Sequence, residues 1–151
     1  MGLFGMFGSK KEDGVDIGGY GSDQVGMMKM LAGMPQMMRK PMMKGRLSQL
    51  LSLSEEKRQE SIRDMVGAFH SPKIKDKARE KLIATRVEMI GEMPEEKRRT
   101  IMSSRAEALK TARDLEEADL RIQEQVLPHI SEPARTAFDR TWNELMKNGN
   151  R

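Results

Sequence analysis

The side chains that could carry chemistry in this chain are few and poorly placed for it. Its two histidines are His70, beside Ser71 and Pro72, and His129, after Pro128. Neither lies near a serine or carboxylate pattern that would define a triad. No H-E-x-x-H or D-x-D-x-D-G pattern occurs, and Gly18, Gly19 and Gly21 do not match a phosphate-binding loop. The acid pairs Glu55 with Glu56, Glu95 with Glu96 and Glu116 with Glu117 are adjacent in sequence. On a helix such neighbours point about 100° apart, so they serve the helix dipole or the solvent face and do not share a metal. Cysteine is absent, which removes disulfides, zinc clusters, iron–sulfur ligation and a thiol nucleophile. Thioethers can hold copper(I), and Met27 with Met30 and Met34 with Met37 have the M-x-x-M form. The segment lacks Cys and His, and the chain lacks the export signal that methionine-only copper sites accompany. The reading is therefore a non-enzyme, with no catalytic, metal or cofactor-binding residue and no cofactor.

The most unusual stretch is 27–43, which places eight methionines in seventeen residues, with Pro35 and Pro41 expected to break any helix it forms. Between Asp23 and Glu55 there is no acidic residue, while Lys29, Arg39, Lys40, Lys44 and Arg46 give the interval a charge of +5. Unbranched methionine repacks easily and suits surfaces that must accept irregular apolar shapes. Ahead of it, MGLFGMFGSKK spaces Leu3, Phe4 and Phe7 with glycines, and residues 12–26 hold five glycines and read as a linker. A short helix capped by Ser22 or Asp23 is expected to run to Gly33. Met27, Met30, Leu31 and Met34 form its stripe, and Pro35 stops it.

From Arg46 onward the pattern changes. LSEEKRQ at 53–59, MPEEKRR at 93–99 and ISEPART at 130–136 repeat one phrase, with arginines separated by 40 and 37 residues. A Ser cap or a first-turn Pro followed by carboxylates satisfies the free amides and the positive dipole of a helix N-terminus. The spacing predicts helices over 55–69, with Ile62, Met65, Val66 and Phe69 inward, and over 72–90, capped by Ser71 and stopped by Gly91. A long helix over 94–127 follows, its stripe interrupted by Arg105 and Asp119. The last covers 132–147 and buries Ala134, Ala137, Phe138, Trp142, Leu145 and Met146. The 40-residue offset also suits stacked helix pairs. Since comparable helix lengths follow only two of the phrases, an irregular bundle is the reading retained.

MMKMLAGMPQMMRKPMMK, eighteen of the 151 residues, resembles the methionine-rich region of the signal-recognition-particle M domain. That likeness implies binding of apolar signal helices beside an RNA, but the SGT-type RNA-binding motif is missing. The phrase of apolar residue, Ser, Glu, Glu and Arg is distantly similar to the LTxxQ signature of small periplasmic helical chaperones, without its Thr and Gln.

These observations give an all-α fold, an irregular helical bundle or elongated helical hairpins with one long helix, preceded by a flexible Met/Gly-rich N-terminal arm. Residues 1–45 form the basic docking arm, 46–147 the helical domain and 148–151 a frayed tail. At 37% apolar, 33% charged and 4% aromatic residues the core is lean for 151 residues. The function expected is that of a non-catalytic accessory or adaptor subunit that docks its arm onto a larger protein complex. Its contact residues are Leu3, Phe4, Phe7, Met27, Met28, Met30, Leu31, Met34, Met37, Met38, Arg39, Lys40, Met42 and Met43. The alternative is peripheral attachment to an anionic membrane surface through the N-terminal Phe/Met segment. A second alternative is nucleic-acid binding, permitted by a pI near 9.4 but unsupported by a stacking platform or reading helix. The long helix offers a route to a homo-oligomer. With no run of eighteen apolar residues and no secretory signal pattern, the expected location is cytoplasmic, or peripheral at a membrane.

Overall fold

The computed structural model describes residues 20–149, with side chains from Gln24 to Lys147. The fold is all-α as the sequence predicts, with no strand among the described residues. The helices are α1 (Tyr20–Ala32), α2 (Gln36–Leu51), α3 (Glu55–Phe69), α4 (Asp76–Glu92), α5 (Glu95–Ala108), α6 (Arg113–Val126) and α7 (Glu132–Gly149). A 3-10 turn, Leu127–His129, joins the last two. The part of the expected flexible arm before Tyr20 lies outside the described residues.

The repeated phrase does start helices. Ser54 accepts a hydrogen bond from the Lys57 amide at the head of α3, with Glu55 and Glu56 in the first turn. Pro94 stands before α5 with Glu95 and Glu96 in the same places. α4, however, begins at Asp76 and not at residue 72. Ser71 caps only a turn, its hydroxyl accepting from the Lys73 amide, and Ile74 of that turn is buried in the core. The Arg79 guanidinium holds the turn by donating to the carbonyls of Phe69, Ser71 and Ile74. Gly91, expected as a stop, instead lies inside α4, which runs on to Glu92. A Cβ on Gly91 would sit 2.8 Å from the Ala134 carbonyl carbon, so this glycine is where α4 and α7 pass backbone to backbone.

The expected long helix is two helices. α5 ends at Ala108, and the chain turns through residues 109–112 before α6 starts at Arg113. No Gly or Pro marks the break, and its cause is tertiary. Leu109 is fully buried, and Arg63 of α3 donates to the Ala108 carbonyl. Arg105 and Asp119 meet at 2.7 Å, whereas fourteen residues along one continuous helix would separate them by about 21 Å.

The described part of the expected arm, from Tyr20 onward, is helical and packs on the rest. Met28, Leu31 and Ala32 of α1 and Met43, Leu47 and Leu50 of α2 belong to the buried core, and the boundary placed after residue 45 falls within α2. Pro41 does not break α2 but sits inside it. It removes one backbone hydrogen bond, and a proline in a helix interior costs roughly 3 kcal/mol. Burial of the helix's inner face offsets that cost.

Each helix packs mainly on those two and three places further along the chain. α1 meets α3 and α4, α2 meets α4 and α5, α3 meets α5, α4 meets α6 and α7, and α5 meets α7. Consecutive helices touch sparingly. The result is a staggered stack in which α4 lies centrally and touches most of the others.

Two glycines make opposite predictions. Gly91→Ala should destabilise by about 1–3 kcal/mol, because overpacking against backbone cannot relax by a rotamer change. Gly45→Ala, where an added Cβ meets nothing within 4 Å, should stabilise by about 0.5–1 kcal/mol through helix propensity. Urea unfolding of both variants checks the pair.

Candidate functional site

Buried arginines tie the stack together by one geometry used three times. Arg39, Arg58 and Arg98 each make the first i to i−4 amide bond of their helix, to Pro35, Ser54 and Pro94. The side chain of each then turns inward. Nη1 donates to the carbonyl five residues back, that of Met34 (2.7 Å), Leu53 (2.7 Å) or Met93 (2.8 Å). Nε donates to a hydroxyl two helices on, that of Thr85 (3.0 Å), Ser104 (2.9 Å) or Thr141 (2.7 Å). Each hydroxyl lies ten residues after the start of its own helix, counted from Lys75, Pro94 and Ser131. All six side chains are buried. Burial lowers the guanidinium pKa of Arg39 and of Arg98, yet both stay charged because arginine titrates far above neutral pH.

The pairing of α4 with α6 uses a carboxylate instead. Asp119 of α6 is fully buried. Its Oδ1 accepts from Arg86 Nη1 (3.2 Å) and from His70 Nε2 (2.8 Å), and its Oδ2 from Arg86 Nη2 (2.7 Å) and Arg105 Nη2 (2.7 Å). Burial alone pushes the Asp119 carboxyl up, but Arg86, the His70 hydrogen bond and Arg105 outweigh it and hold the group well below the usual carboxylate range. Burial lowers the Arg105 pKa against the pull of Asp119. The two guanidiniums also lie over aromatic rings, Arg86 over Phe69 at 5.4 Å and Arg105 over Trp142 at 5.8 Å. Arg105 Nε is buried without a hydrogen-bond partner among the described residues.

Chemically this cluster is a lock. A carboxylate held ionised by two guanidiniums and an imidazole, with no access to solvent, has no lone pair to offer a substrate proton. No group of three His, Cys, Asp or Glu side chains among the described residues could hold a metal ion.

The surface tells differently. Among the described residues the exposed large hydrophobics are Met30 (49%), Met37 (77%), Met38 (53%), Met42 (38%) and Met146 (37%). Four of these five fall in α1 and α2. Of the contact residues expected from sequence, Met30, Met37, Met38 and Met42 are therefore presented to solvent, and Met27 and Met34 pack half-buried against the core. Met28, Leu31 and Met43 are core residues, which removes them from a docking surface. Arg39 is buried against Thr85, and Lys40 is committed to Glu92 (2.9 Å) and Glu88 (3.6 Å). The hydrogen bond from Lys40 to Glu92 is the main reason its pKa is raised. Leu3, Phe4 and Phe7 lie outside the described residues.

Sequence reading missed the buried arginines and their hydroxyls. The signal was present as an apolar residue five places before Arg, which recurs at Met34, Ile74 and the three phrases already noted. A Ser or Thr follows six residues after the arginine at Thr85, Ser104 and Thr141. No described helix is long and apolar enough to cross a membrane. Comparison with protein-family models, curated proteins and solved structures finds no match for the chain.

Asp119→Asn should lower stability at neutral pH by about 3–5 kcal/mol, since it leaves two buried guanidiniums short of a counter-charge. The Asp119 pKa in the folded protein lies below its unfolded value of about 3.9, so its contribution is present above that pH and fades as pH falls. The gap between wild type and variant should therefore narrow between about pH 5 and about pH 2, measured by urea unfolding across that range. A gap independent of pH would contradict the lock. Thr141→Val should cost about 1–3 kcal/mol by leaving Arg98 Nε buried and unpaired. Adding Arg98→Met should cost less than the sum of the two single changes, as a double-mutant cycle would show.

Proposed function

We propose that the protein is a non-catalytic helical adaptor or accessory subunit, and that it docks onto a larger protein assembly through the solvent face of α2. The observation that carries this is the grouping of four exposed methionines in α1 and α2, when Met146 is the one other large apolar residue exposed among those described. Neighbouring α3 turns Glu56, Lys57, Glu60 and Asp64 to solvent, the ordinary outward face of an amphipathic helix. The polar groups of the interior are spent on holding helices together, which fits a rigid platform better than a reaction site. The docking unit is a folded helical face, where the sequence suggested a flexible arm over residues 1–45 with one short helix ending at Gly33.

Met37→Glu, Met38→Glu and Met42→Glu combined should leave the circular dichroism spectrum unchanged and the unfolding free energy within about 1 kcal/mol, because these side chains are exposed. The same protein should lose the partner that co-purifies with the wild type from its native cell. Undiminished co-purification would remove this face from consideration. Flotation with anionic vesicles, or binding to RNA or DNA with a steep salt slope, would favour the membrane or nucleic-acid readings instead.

A further inference from the structure

The outward positions of α2 name the chemistry of what they receive. Met37, Met38, Pro41, Met42 and Gly45 are all exposed and all uncharged. Gly45 has no internal reason to be glycine: a Cβ there meets nothing within 4 Å, and glycine is a poor helix former. A small residue on an open face permits a second backbone to come close, while thioethers on either side mould to the side chains that come with it.

Charge supplies the second constraint. From Gln24 to Ser54 the chain has no carboxylate. Of the cations there, Arg39 and Lys40 are taken by Thr85, Glu88 and Glu92. Lys29 and Lys44 are exposed and make no ion pair among the described residues. Lys44 lies seven residues after Met37 on the same helix, so it edges the methionine face. The surface is thus apolar in the middle, with Lys44 at its edge as a cation that no carboxylate of the described residues neutralises.

Resting on the docking reading above, we propose that this face receives an amphipathic α-helix of a partner protein whose apolar stripe is bordered by aspartate or glutamate. A helix fits better than a lipid surface. The α2 face carries no aromatic residue among those described and, with Lys40 paired, only Lys44 as an unpaired lysine, a weak hold on a headgroup layer. A gap at Gly45 one helix-turn from Pro41 and Met42 suits ridge-into-groove contact between two helices.

The test is selection of a displayed library of sixteen-residue helical peptides on the full-length chain, followed by affinity measurements on the enriched sequences. Enriched peptides should carry apolar residues at i, i+3, i+4 and i+7 with acidic neighbours. Their affinity should fall about ten-fold or more for Met38→Glu with Met42→Glu, and by a smaller factor for Met38→Gln with Met42→Gln. Lys44→Glu should weaken them and flatten the salt dependence. Enriched peptides with basic or neutral borders that still respond to the Met38 and Met42 changes would overturn the acidic-helix inference and leave the docking reading standing. Peptides indifferent to those changes, or no enrichment, would overturn both. Self-association in sedimentation, or flotation with phosphatidylserine vesicles, that the same changes abolish would assign the face to a second copy or to a membrane and likewise overturn the proposal.

Discussion

The arrangement of the C-terminal helices depends on one carboxylate. Asp119 has no contact with water, and its two oxygens are shared among Arg86 from α4, Arg105 from α5 and His70 at the end of α3. Leaving a buried charge uncompensated costs several kcal/mol, so these four elements are bound to meet at one point. That requirement folds the chain back between Ala108 and Arg113 without a helix-breaking residue. It also places α6 on α4, which sets where α7 can lie and why Gly91 must yield room to the Ala134 backbone.

The arginine and hydroxyl pairs apply the same logic further up the stack. A core containing Met28, Met43, Met65, Met89 and Met102 is adaptable, since methionine fills gaps of many shapes. Such a core supplies burial but little choice among neighbouring registers. Hydrogen bonds from Arg39, Arg58 and Arg98 are directional: the Nη1 bond to the carbonyl five residues back fixes each guanidinium on its own helix, and a slip of one residue between the helices would break the Nε contact. Burial drives the helices together, and the guanidiniums decide how they fit.

What could be read in advance follows from the range of each interaction. The starts of α3, α5 and α7 were legible because caps and first-turn acids act within four residues. The inward turn of Arg58 and Arg98 was not, since its cause is a hydroxyl 46 or 43 residues away and an arginine in a first turn otherwise reads as solvated. Arg105 and Asp119 were legible as interruptions of an apolar stripe. Only their meeting in space converts two faults in one long helix into the reason for two shorter ones. Pro41 misled in the other direction, because a local rule against interior proline is weaker than the burial of Met43, Leu47 and Leu50 that follows it.

For the methionine segment, composition and position say different things. α2 has apolar residues on every side, so burial by itself does not choose which side faces the core. The choice is made by polar groups: Arg39 is fastened to Thr85 and to the Met34 carbonyl, and Lys40 to Glu88 and Glu92. Rolling α2 to cover Met38 would pull Arg39 from Thr85 and Lys40 from Glu88 and Glu92, and leave Thr85 without its donor. The outward methionines are therefore fixed outward by the same device that holds the stack together, and their exposure belongs to the design of the fold.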